Sequence, residues 1–143
     1  MLLYHPARDG HHSAFRILRI LAASNGASFE RDTIRILDFL LIFPQAIAET
    51  RLPKDLKSFR SSFAAQKNCY HFNGSPRLVL LQMAPLQDMA LRLLASRNLI
   101  ELSLLLDSIV KRTEAPVPPK VSELIDLRNA EETTTVDFLV PAA

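Results

Sequence analysis

The residue types in this 143-residue chain best suited to catalysis or metal binding are four histidines and one cysteine. His11 and His12 are adjacent, so on a helix they point about 100° apart and do not share a metal face as an i, i+4 pair does. Further ligands would have to come from Cys69 and His71, remote in sequence; His5 stands apart as well. On a strand Cys69 and His71 share a face, as a thiol and its base would. No supporting motif or oxyanion site accompanies them, which is the pattern of an idle cysteine. There is no G-x-x-x-x-G-K-S/T phosphate loop, and three scattered glycines cannot build one. Glu131 and Glu132 sit in a polar stretch and fit solvated surface. The residues therefore assign no catalytic group, no cofactor and no metal.

Charges inside apolar patterns carry more information. Asp38 follows Arg35 as the only other charge of a run that is otherwise apolar to Phe43. Arg35 and Asp38 are three apart and can meet on one helix; so are Arg16 and Arg19. Burying any of them is costly without a partner. Arg16, Arg19, Arg35 and Asp38 form a candidate charge cluster tying the first helix to the second through Asp38. The alternative is an arginine surface for a partner's acids or phosphates.

Lys54, Lys57, Arg60 and Lys67 lie on one stretch of helical periodicity with a single acid, Asp55. They are the candidate DNA-contacting face. The competing reading is a solvated face beside the apolar stripe of Leu56, Phe59 and Phe63.

These residues must be positioned by short helices. Pro6 closes an extended lead-in over 2–8, and Asp9 can cap the first helix. That helix is predicted over 12–24, with Ala14, Phe15, Ile17, Leu18, Ile20, Leu21 and Ala22 on its apolar face and Asn25-Gly26 as its stop. Ser28 is the expected N-cap of a second helix running to Phe43, nearly all buried and ended by Pro44. A third is predicted over 53–67 and a loop at Asn73-Gly74-Ser75-Pro76. The run 77–83 fits strand or helix. A helix follows over 85–96, with Leu86, Met89, Ala90, Leu93 and Leu94 inward. Residues 98–102 are ambiguous and could be a strand; Leu102, Leu105, Leu106 and Ile109 then fit a helix to about Arg112. Three prolines within 114–119 mark a linker. A helix over 121–132, with Leu124 and Ile125 inward, precedes a β-prone tail.

The expected fold is mostly α with a small β element, a winged-helix-like compact helical domain. An adaptor domain spans 1–113; a proline-rich linker, short helix and docking tail span 114–143. Few glycines argue against an all-β chain. Hydrophobic residues at 48% and charged residues at 22% fit a folded protein. The net charge of +2 is too small to imply nucleic acid by itself. One cysteine allows no internal disulfide and fits a reducing, cytoplasmic setting. The longest unbroken apolar run, 39–43, is far short of the ~20 residues of a membrane span, so no membrane association is expected. Apolar segments left over for a partner are Phe72, Leu78, Leu80, Val136, Phe138 and Leu139.

The succession Leu3-Tyr4-His5-Pro6, then Phe15-Arg16-Ile17-Leu18-Arg19-Ile20-Leu21, then Arg35-Ile36-Leu37-Asp38-Phe39-Leu40-Leu41-Ile42-Phe43-Pro44 resembles the middle component of ABC-three-component systems. These are similar to, and overlap with, Lamassu antiphage defence systems. The likeness is clearest over 2–53 and diffuse to about 110. It implies a non-catalytic, winged-helix-like adaptor between an SMC-like ABC ATPase that senses DNA and an effector such as a nuclease. Double-stranded DNA would be met through the complex. The family offers no catalytic residues to carry over. The alternative function is a stand-alone winged-helix DNA-binding regulator.

Overall fold

The computed structural model describes residues 10–43, 76–133, 136 and 139. The lead-in at 2–8, Asp9, the helix expected over 53–67 and residues 73–75 of the expected loop lie outside them; Pro76, expected in that loop, instead begins a helix. In chain order the described elements are α1 (Gly10–Ala23), β1 (Phe29–Glu30), α2 (Arg31–Ile42), α3 (Pro76–Ser96), α4 (Leu102–Leu106), β2 (Ile109–Val110) and α5 (Pro119–Glu131). The chain is mostly helical with a small two-stranded antiparallel sheet.

α1 lies at the centre. Every residue from Ser13 to Leu21 except Phe15 is buried, while Ala22 is exposed. A helix enclosed this widely needs neighbours on several sides, and α1 touches α2, α3 and α5. Ile17, Ile20 and Leu21 meet Ile34, Leu37 and Leu41 of α2, Ala90, Leu91 and Leu94 of α3, and Ile125 of α5 in one core, which Leu99, Ile100, Val110 and Val136 complete. The boundary at 114 therefore does not separate two cores, because Ile125 and Val136 belong to the same cluster as α1.

α1 ends as its sequence predicts. Ser24 N–H donates to the Ile20 carbonyl, and Asn25 and Gly26 turn through left-handed backbone (φ 53° and 87°). Ser28 does not cap α2. Phe29 and Glu30 are drawn into the sheet, opposite Val110 and Ile109, and Glu30 takes the N-cap position without a side-chain cap. Arg31 N–H then donates to the Ser108 carbonyl (2.8 Å). Tertiary pairing displaces the local capping signal.

α3 runs unbroken through Pro85, joining the ambiguous 77–83 to the helix expected over 85–96. Pro85 has no N–H for the Leu81 carbonyl, but it lies on the exposed side of the helix, open to solvent. The inward face is Met83, Gln87, Ala90, Leu91 and Leu94; Met89 points out. α3 is long and apolar enough, by length and composition, to cross a membrane. That inward face is nevertheless built into the core. A smaller cluster of Phe39, Ile42, Phe43 and Met83, joined by Leu40, Val79 and Leu80, packs the end of α2 on the start of α3. α3 stops in a Schellman turn: Leu99 N–H donates to the Leu94 carbonyl, Asn98 N–H to that of Ala95, and Asn98 is left-handed (φ 58°).

The helix expected to reach Arg112 ends at Leu106. Ser108 adopts φ 62°, and Ile109–Val110 pair with β1. Ile100 and Arg112 form a further antiparallel bridge, with Glu101 N–H donating to Lys111 O and Thr113 N–H to Leu99 O. Pro119 opens α5 at the first helical position, where its missing N–H costs nothing. Ile125 is buried and Leu124 is exposed. The β-prone tail is helical where it is described, at Thr133, Val136 and Leu139, with Val136 N–H donating to the Glu132 carbonyl.

Candidate functional site

Asp38 is wholly buried where α1, α2 and α3 meet. Its carboxylate accepts from Ser13 Oγ (3.1 Å) and Arg16 Nη2 (3.4 Å) of α1, from Arg16 Nε in a close ion pair, and from Gln87 Nε2 of α3 (2.8 Å). Four donors match the roughly four lone-pair directions of a carboxylate. Gln87 Nε2 also reaches the Arg35 carbonyl (3.0 Å), and Gln87 Oε1 is buried without a donor. A buried ion pair of this kind gives up several kcal/mol of hydration per ion, and it holds only while donors and acceptors stay matched. One acid thus fixes the mutual register of three helices.

The other two arginines of the expected cluster go elsewhere. Arg35 points away from Asp38, to Asp32 (3.2 Å) and, closely, to Asp88 of α3. Asp32 is largely exposed, so that contact adds little. Arg19 faces α5: its Nε donates to Asn129 Oδ1 (2.9 Å), its Nη2 lies 3.3 Å from Glu132 Oε1 and donates to the Arg128 carbonyl (3.5 Å), and Asn129 Nδ2 donates back to the Arg19 carbonyl (3.2 Å). Burial pushes the Arg19 guanidinium below its usual pKa, and Glu132 opposes that shift. The four residues therefore make three separate ties, α1–α2–α3, α2–α3 and α1–α5.

Ser13, Gln87, Asp88, Asn129 and Glu132 complete these ties, and none was expected from sequence. Gln87 carried a usable signal, since it is the one polar residue among the inward positions Met83, Gln87, Ala90, Leu91 and Leu94.

Of the expected partner surface, Leu78 is exposed and Leu80 is half-buried against the smaller cluster. Val136 and Leu139 correct the expectation. Val136 is buried in the main core and Leu139 packs on it, because the helical tail turns them toward α1 and α2. With Arg19, Ile20, Leu41 and Asn129 they line a small cleft. Phe72 and Phe138 lie outside the described residues, as do Lys54, Lys57, Arg60, Lys67, His5, His71 and Cys69. His11 and His12 are exposed in the first turns of α1. Among the described residues no group of three or more His, Cys, Asp or Glu is placed to hold a metal ion.

The described surface is apolar in several places. Leu78, Leu81 and Met89 are exposed on α3, Leu102 and Leu106 on α4, Leu124 and Leu127 on α5, and Ile36 on α2. Leu106 is 79% exposed, a degree that packing among the described residues does not explain.

The chain matches the family model described as ABC-three component (ABC-3C) system Middle Component 5 over residues 2–142. No curated protein and no solved structure matches it. A buried charge that fixes helix packing, with apolar residues turned outward, suits a component of an assembly, and the match extends over nearly the whole chain. The chain belongs to the Middle Component 5 family of ABC-three-component systems, and so works with protein partners.

Proposed function

We propose that this chain is a non-catalytic adaptor joining an SMC-like ABC ATPase to an effector such as a nuclease, in a cytoplasmic, Lamassu-like antiphage complex that senses double-stranded DNA. Family membership across residues 2–142 carries the reading. The exposed leucines on α3, α4 and α5 support it, because scattered single apolar residues are ordinary on a surface but rows of them mark interaction sites.

The order of elements supports a winged-helix-like plan. α1, β1, α2 and α3 are followed by two extended stretches, 99–101 and 109–113, that pair with each other and, through β2, with β1. α4 occupies the place of the wing. In DNA-binding relatives of this plan the second helix of the motif offers its outer face to the major groove. On that reading the next described helix after α2 is α3, and from Leu78 to Met89 it contains no lysine or arginine. Groove binding leans on cationic and polar contacts to phosphate. An apolar outer face favours a protein partner, which supports the adaptor reading over the stand-alone regulator.

The test is co-expression with the ATPase component followed by size exclusion. The adaptor reading expects one co-eluting complex and a higher melting temperature for the bound chain, as linkage requires. Separate elution at micromolar concentration, with the isolated chain forming a dimer on duplex DNA, would replace it with the regulator.

A further inference from the structure

We infer that the outer face of α3, formed by Leu78, Leu81, Pro85 and Met89 and ending at Arg92, is the seat for an amphipathic helix of a partner protein, apolar along its length and acidic at the end that meets Arg92. The inference rests on the adaptor reading and names the surface and the chemistry of the partner that reading requires.

At 3.6 residues per turn, positions 78, 81, 85, 89 and 92 fall within an arc of about 80° along roughly 21 Å of helix. Leu78, Leu81 and Met89 are 50%, 63% and 59% exposed, and Pro85 and Arg92 are exposed with them. Their spacing of three, four, four and three is the rhythm with which one helix seats against another. The inward face of α3 is spent on the core, through Met83, Gln87, Ala90, Leu91 and Leu94. The outer stripe is thus a second apolar face on one helix, and no described residue covers it.

Charge selects the partner. The only acid in α3 is Asp88, and Arg35 holds it. Arg92 and, just beyond the helix, Arg97 are exposed, and neither is a member of the ion pairs formed among the described residues. The stripe is therefore neutral along its length and cationic at its C-terminal end, where the backbone carbonyls add negative partial charge that the two arginines offset. A helix with acids at the matching end satisfies both features. Duplex DNA does not, because the stripe itself is uncharged.

The test uses the full chain, its ATPase component and its effector component, each purified, with affinity and melting temperature measured for every variant. Leu81→Glu and Met89→Glu place acids on the stripe, Arg92→Glu reverses its cationic end, and Arg92→Lys preserves it. Ser122→Glu, at an exposed polar position of α5, is the control. The inference expects Leu81→Glu and Met89→Glu each to weaken binding to one of the two components at least tenfold, with the melting temperature of the free chain unchanged. Arg92→Glu should weaken it and Arg92→Lys should not, and added salt should weaken the wild-type complex more than that of Arg92→Glu. A wild-type chain that binds a component, with that binding unchanged by all three acidic substitutions, would overturn the inference and leave the adaptor reading standing. A wild-type chain that binds neither component would overturn both. A wild-type dimer that Met89→Glu dissociates would assign the stripe to a second copy of this chain. Co-sedimentation with phosphatidylserine vesicles that Arg92→Glu abolishes would assign it to a membrane surface. Either result would overturn the inference.

Discussion

Replacing Asp38 by alanine should cost this fold about 3–5 kcal/mol. The substitution takes from the Arg16 guanidinium, nearly as buried as the acid itself, the carboxylate it pairs with across helices, and breaking a buried pair from one side costs about this much. Ser13 Oγ and Gln87 Nε2 lose an acceptor at the same time. Each orphaned donor is worth about 1–3 kcal/mol in isolation, but the three contacts share one site and relax together, so they do not add. A domain holds about 5–15 kcal/mol in total, so the variant sits near the edge of folding. With a urea slope of about 2 kcal/mol/M, the midpoint should fall by roughly 1.5–2.5 M, read by circular dichroism. The companion is Arg16→Met with Asp38→Leu, which removes both charges and keeps the volume filled. It should recover most of the loss, since buried pairs are often replaceable by apolar groups at little cost. A midpoint for Asp38→Ala within about 0.3 M of wild type would show that the Asp38 carboxylate is not a buried charge holding the helices together. A double variant as unstable as the single would show that the charge pair is not the source of the effect.

Three smaller perturbations probe the rest of the frame. Ser108→Gly should stabilise by about 0.5–1 kcal/mol, because a serine at φ 62° carries a left-handed strain that glycine does not; a lower thermal midpoint would contradict it. Asn129→Ala should cost about 1–3 kcal/mol by breaking its reciprocal bonds with Arg19, and hydrogen exchange should quicken in α5 while α3 stays protected. Gly26→Ala should cost about 1–2 kcal/mol through its φ of 87° alone, since an added Cβ meets nothing within 4 Å; a loss well beyond that in urea denaturation would mean the turn is tighter than the structure shows.

Much of this frame was legible in the residues. A lone acid among Ile36, Leu37, Phe39 and Leu40 announces a buried charge with a partner on another element. The identity of that partner was not legible. Spacing allowed Arg35 and Asp38 to meet, but α1 packs on the side that brings Arg16 instead, while Arg35 turns to α3. Local signals failed where tertiary pairing outweighed them. Ser28 lost its cap to β1, and the helix expected through Arg112 yielded to β2 after Leu106. Pro85 looked like a boundary because a proline removes a helical hydrogen bond, yet on an exposed face that loss is small enough for α3 to continue. In α5 the inward line is Val121, Ile125 and Asn129 at i, i+4 spacing, which turns Leu124 outward. The polar Asn129 in that line hides the period from a reading based on hydrophobicity.

The proposed adaptor role makes this chain the link between two other components. The most direct measurement is the mass of a reconstituted mixture of the ATPase and effector components, by size exclusion with light scattering, with and without this chain. The account predicts that the two components elute separately alone and as one complex containing all three when this chain is added. ATPase and effector that associate equally well without it, or a chain that stays outside the complex they form, would contradict it.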